Sequence, residues 1–128
     1  MDNAVPRLAL LYRLDPVLQS ELKTVLAKPD IGLDTDTCSE LEDCRQRLHD
    51  LQPVILFCPY EAALDESIQA FQSRVPVIVV SRVPDTREWI SAMEAGACDY
   101  CAPPFELTQL RWMLRAAASG VTSLHATA

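Results

Sequence analysis

The chain has 128 residues, 49% of them hydrophobic, and its 18 acidic and 11 basic residues leave a net charge of −7. That length suits one domain, 1–128, with a core large enough to oppose disorder, and the charge opposes binding to nucleic-acid phosphates or anionic membranes. No apolar run reaches the roughly 20 residues that span a bilayer, and Met1-Asp2-Asn3-Ala4 has no signal-peptide character, so a cytoplasmic protein is expected.

Leu8–Tyr12 is a short apolar run and predicts a buried strand. Asp15-Pro16 opens a helix, with Asp as N-cap and Pro in the first turn. Its apolar face is Leu18, Leu22, Val25 and Leu26, and Lys28-Pro29-Asp30 ends it. A short polar strand is expected over Ile31 to Thr35. Ser39-Glu40-Leu41-Glu42 reads as a capping box for a helix that buries Leu41, Cys44, Leu48 and Leu51 and stops at Pro53.

Val54–Cys58 is continuously apolar, as a central parallel strand requires. A helix from about Glu61 to Gln72 faces inward through Leu64, Ile68 and Phe71. Pro76–Val80 carries four β-branched residues in succession and predicts a strand. Asp85-Thr86-Arg87-Glu88 caps the next helix, with Ile90 and Met93 inward and Gly96 as its stop. Cys98 to Ala102 is a short fifth strand, and Pro103-Pro104 breaks the chain. Glu106 to about Ser119 is the fifth helix, inward through Leu107, Leu110 and Leu114. A frayed tail is expected over 120–128.

Five strands alternating with five helices define an α/β domain: a doubly wound parallel sheet with helices on both faces, (βα)5 and flavodoxin-like. Function in such sheets gathers beyond the carboxyl ends of the strands. Here those ends are Tyr12, Cys58-Pro59, Ser81 and Ala102-Pro103.

Three segments carry a resemblance. Pro76-Val77-Ile78-Val79-Val80-Ser81, Ala92-Met93-Glu94-Ala95-Gly96-Ala97-Cys98-Asp99-Tyr100 and Pro103-Pro104-Phe105-Glu106-Leu107 resemble, in order and spacing, segments of the receiver domain of bacterial response regulators. The resemblance covers about residues 7–118. It implies a phosphoryl acceptor Asp ending the third strand, an acidic pair for Mg²⁺ after the first, a Lys after the fifth, and a Ser/Thr and an aromatic residue that respond to phosphorylation.

Aligned on that pattern, the acidic pair falls on Tyr12 and Arg13, the acceptor on Pro59 or Cys58, and the Lys on Pro103. Ser81 and Tyr100 alone persist. Asp15 is explained as a helix cap, and Glu61 is the nearest substitute acceptor. The resemblance therefore implies a degenerate receiver, a pseudo-receiver of two-component signalling with no catalytic residues, no metal and no cofactor. It also implies a cis bond between Pro103 and Pro104.

The five cysteines, an odd number, argue against a disulfide framework. Cys98-Asp99-Tyr100-Cys101 spells C-x-x-C, but a loop-and-strand placement points the two side chains apart and no second pair completes a zinc site. Cys58 ends a strand, with no base near it in sequence; a thiol sensor on these cysteines is the reading from another class. With Ile90 and Met93 inward, Trp89 turns outward, and Trp112 faces the flank or solvent. Exposed aromatics rimmed by Arg111 and Arg115 suit a protein partner or a homodimer through the fourth helix, fifth strand and fifth helix. A regulator with an unusual acceptor remains the alternative.

Overall fold

A computed structural model describes residues 7–61, 64–71 and 74–118, without the side chains of Leu64 and Asp65. Five short strands pair in parallel in the order β2-β1-β3-β4-β5: β1 (Leu8–Tyr12), β2 (Asp34–Cys38), β3 (Ile55–Pro59), β4 (Val77–Val80) and β5 (Asp99–Cys101). Between and after them run α1 (Pro16–Leu26), α2 (Leu41–Leu51), α3 (Leu64–Phe71), α4 (Thr86–Ala95) and α5 (Leu107–Ala118). The expected doubly wound architecture is therefore present. The outer ends foreseen at Gln72 and Ser119, the inward side chain of Leu64 and the tail 120–128 lie outside the described residues.

Alternation along the central strands makes two apolar layers. Ala9, Leu11, Ile55, Phe57, Ile78 and Val80 face α1 and α5, meeting Leu18, Leu22, Leu26, Leu110, Met113 and Ala117. Leu10, Leu56, Cys58, Val77 and Val79 face the other helices, meeting Cys44, Leu48, Ile68, Phe71 and Ala92. Tyr12 lies in this second layer, its ring edge-on to Phe71 at 5.2 Å between centroids.

Local chemistry explains most boundaries. Asp15 caps α1, its Oδ1 accepting from the Leu18 amide at 3.0 Å, and Pro16 occupies the first turn. Asp85 caps α4 through the Arg87 and Glu88 amides. Gly96 ends α4 at φ 111°, where a side chain would be strained. The Pro103–Pro104 bond is cis, as expected.

Four expectations need correction. The second strand runs three residues later than Ile31–Thr35, at Asp34–Cys38. Ile31 and Leu33 are instead buried in the turn after α1, where the Ile31 and Gly32 amides both bond to the Lys28 carbonyl. There is no capping box on α2: its N-cap is Glu40, with no side-chain cap bond, and the helix buries Cys44 and Leu48 while Leu41 and Leu51 are exposed. Leu41 and Leu51 are the first and last residues of this 11-residue helix, so only its middle is covered. On α4 the buried centre is Ala92, which places Ile90, about 200° around the helix, outward and draws Trp89 in. On α5 the buried row is Leu110, Met113 and Ala117, leaving Leu107 and Leu114 half-buried beside it.

The two outer strands share a device. Asp34 bonds through its amide to the Arg7 carbonyl beyond β1, so alternation points the Thr37 amide away from β1; Asp36 Oδ1 accepts that amide at 2.9 Å. On β5, the Cys101 carbonyl accepts from Ser81, so the Tyr100 amide points outward, and Asp99 Oδ1 accepts it at 2.8 Å. Arg47 on α2 reaches across to Asp36 as well.

Candidate functional site

The carboxyl ends of β1, β3 and β4 open into a cleft of about 380 Å³ lined by Arg13, Asp15, Leu18, Pro59, Tyr60, Glu61, Val80, Ser81, Arg82 and Glu88. Parallel strands bring these loops together because every strand ends at the same edge of the sheet.

Arg13 enters the cleft from a left-handed backbone (φ 58°) that turns β1 toward α1. Its guanidinium lies 5.8 Å from the centre of the Tyr12 ring, and Nη2 is 3.8 Å from Glu61 Oε1. Asp15 receives Arg82 Nε at 2.8 Å on its second oxygen. The Leu18 amide first, and then Arg82, hold its carboxyl below the usual range. Each cation in the cleft thus faces a carboxylate across it.

Beside them is a hydrogen-bonded group centred on Glu88. The Ser81 hydroxyl, buried at the end of β4, donates to Glu88 Oε1 at 2.6 Å, with the Val83 carbonyl at 3.0 Å as an alternative acceptor. Tyr100, half-buried on β5, places its hydroxyl 3.3 Å from the same Glu88 oxygen and accepts the Asp85 amide at 3.2 Å. Desolvation raises the Tyr100 pKa, so the phenol is the donor to Glu88. Ser81 and Tyr100 are therefore brought together, through a third residue.

Of the other residues singled out in the sequence, Arg13 and Pro59 line the cleft and Tyr12 lies beneath it; Cys58 is fully buried, its thiol pushed up to about 12 by burial. Pro103 is half-buried and does not line this cleft. Cys98 and Cys101 do not point to opposite faces: both pack in the α1/α5 layer, because Cys98 precedes the strand and escapes its alternation. All five cysteines are free thiols, and burial raises both Cys98 and Cys101. Trp89 is half-buried, with its indole nitrogen enclosed and no hydrogen-bond partner for it among the described residues, so its expected outward placement is corrected. Trp112 is 46% exposed, with Arg111 and Arg115 exposed on the same helix.

Sequence reasoning missed Glu88 and Arg82 as site residues. The capping pattern Asp85-Thr86-Arg87-Glu88 accounted for Glu88, and only the fold brings it to Ser81. Nothing in the sequence marks Arg82.

The donor set does not fit Mg²⁺. Among the described residues no three His, Cys, Asp or Glu side chains gather to hold a metal, and the Arg13 guanidinium stands where β1 ends. Among the described residues no helix is long and apolar enough to cross a membrane.

The sheet order and two-sided helical cover define a doubly wound, flavodoxin-like domain, the fold that receiver domains share. Solved structures agree. The orphan response regulator HP1043 of H. pylori matches with a TM-score of 0.66 at 25% identity, over 91% of this chain and 99% of that one. An atypical orphan response regulator, described as having a phosphorylation-independent regulatory mechanism, matches with a TM-score of 0.67 at 26% identity, over 91% of this chain and 98% of that one. The receiver domain of NtrX from Brucella abortus matches with a TM-score of 0.69 at 21% identity, over 87% and 98%. No sequence-family model and no curated protein sequence matches the chain.

Proposed function

We propose that the chain is a degenerate receiver that signals by binding a protein partner or a second copy, and not by phosphoryl transfer. The observation that carries this is the end of β3. A phosphoryl acceptor there must be a carboxylate open to the cleft, whereas this strand presents Pro59 at the cleft and the neutral, fully buried thiol of Cys58 behind it. Arg13 and Pro103 take the places where the family has an acid and its lysine. A guanidinium at the first position repels the metal that offsets charge during transfer.

Without an acceptor, nothing in the cleft changes charge on signalling, so the Ser81–Glu88–Tyr100 group holds one arrangement. The orphan and atypical regulators among the structural matches support a signalling role of this kind. The surface for it is α4, β5 and α5, with Trp112, Arg111 and Arg115; Ile90, 45% exposed, takes the outward place expected of Trp89. Its action is binding, with no reaction catalysed.

Incubation with Mg²⁺ and acetyl phosphate, read by intact mass beside a conventional receiver, tests the claim. No added mass is expected. A stoichiometric phosphoryl group would overturn it, and Glu61, 3.8 Å from Arg13 at the cleft wall, is the first place to map it.

A further inference from the structure

At the opposite end of the sheet, beside the start of β1, a second pocket of about 260 Å³ is lined by Arg7, Asp30, Ile31, Arg111, Leu114, Arg115 and Ala118. Arg111 and Arg115 stand one turn apart on α5, and Arg7 comes from the strand's entry. Three cations thus meet one carboxylate, on a chain whose net charge is −7. Four arginines elsewhere find acids, Arg13 with Glu61, Arg45 with Glu42, Arg47 with Asp36 and Asp43, Arg82 with Asp15, while Arg74 and Arg87 make no ion pair among the described residues. Arg7, Arg111 and Arg115 make no ion pair among the described residues; Arg7 only reaches the Ile31 carbonyl, at 3.5 Å. Ordinary solvation explains a lone unpaired arginine such as Arg74 or Arg87; what sets Arg7, Arg111 and Arg115 apart is that all three line one concavity in an acid-rich protein.

We propose that this pocket docks the carboxylates of an acidic segment on a protein partner, resting on the reading of α5 as a binding face. Charge complementarity selects an anion. The volume holds one or two carboxylates and is too small for a nucleotide-sized ligand. Ile31, Leu114 and Ala118 give it an apolar floor that suits the methylenes of Glu side chains better than a bare inorganic anion. Trp112 lies next to Arg111 on α5, about 60° around the helix from Arg115, and extends the same face for a neighbouring apolar side chain. The overall negative charge turns away a long polyanion such as nucleic acid, whose field reaches beyond the pocket.

Fluorescence anisotropy of a labelled hexaglutamate peptide at low ionic strength tests the proposal. Saturable binding that weakens with salt is expected, and the double variant R111Q/R115Q should weaken it about tenfold, two exposed ion pairs at about threefold each. Arg7→Gln should weaken it about threefold. These exposed changes should leave the circular dichroism and melting temperature unaltered. Equal affinity in R111Q/R115Q, or no saturable binding, overturns the proposal. Inorganic pyrophosphate competing at equal or lower concentration identifies a phosphate site and overturns it too. Self-association lost in R111Q/R115Q places a second copy in the pocket and overturns the partner assignment. If Trp112→Ala abolishes partner binding or dimerisation while R111Q/R115Q does not, the α5 face stands and only its acidic occupant fails; if neither variant matters, both readings fall.

Discussion

Glu88 gives the most decisive perturbation of the cleft. Replacing it by Ala removes the acceptor of the Ser81 hydroxyl at 2.6 Å and of the Tyr100 phenol at 3.3 Å. A hydrogen bond to a carboxylate contributes about 1.5–3 kcal/mol. Ser81 retains the Val83 carbonyl at 3.0 Å, so its hydroxyl is not left unpaired, and the net loss is about 1–2 kcal/mol. At about 2.1 cal/mol/K of unfolding entropy per residue, 128 residues convert 1.5 kcal/mol into a fall of about 5–6 °C in melting temperature. Glu88 also lies in the first turn of α4, where a negative charge is favoured by about 0.3–1 kcal/mol whatever Ser81 does. The single variant therefore does not decide. A double-mutant cycle with Ser81→Ala, followed by urea unfolding, does: a coupling of about 1 kcal/mol is expected. Additivity within about 0.3 kcal/mol would show that the two side chains are merely close, and would remove the argument that Glu88 ties β4 to β5.

Two further outcomes follow from the same cleft. Asp15→Ala should cost about 1 kcal/mol by uncapping α1; since the folded carboxyl titrates below its ordinary 3.8, its contribution is complete above that pH and is lost as pH falls through the folded value, so wild type and variant should converge in acid and diverge toward neutrality. Cys58, buried and pushed up to about 12, should resist iodoacetamide in the native state and react only once the chain unfolds, as mass mapping of alkylated peptides would show; rapid native labelling would reopen a thiol-sensing role.

The central sheet was legible because Leu8–Tyr12, Val54–Cys58 and Pro76–Val80 are apolar enough to exclude any other placement. Capping chemistry at Asp15 and Asp85 located two helix starts to the residue. What failed was rotation and register at the margins. Ile31 and Leu33 resemble a strand because they are buried, yet they plug a turn, and the strand that follows is polar because it lies at the edge of the sheet. Ile90 and Trp89 are adjacent apolar residues, and periodicity alone does not choose between them; the small Ala92 lets α4 approach α3 and β5 closely and decides the rotation. The candidate site was legible only as positions. Arg13, Pro59 and Ser81 converge as the strand ends require, whereas the pairings Arg13–Glu61, Arg82–Asp15 and Ser81–Glu88 depend on loops whose paths no local pattern encodes.

Asp36 and Asp99 have a consequence for assembly. A sheet with two open sides is a template on which further strands add, in oligomers as in fibrils. On each outer strand of this sheet an aspartate has taken the outward-facing amide of the residue after it, so that amide is not available to an incoming strand. Growth by strand addition is thereby opposed at one position on each border, which favours association through side chains over association by added strands.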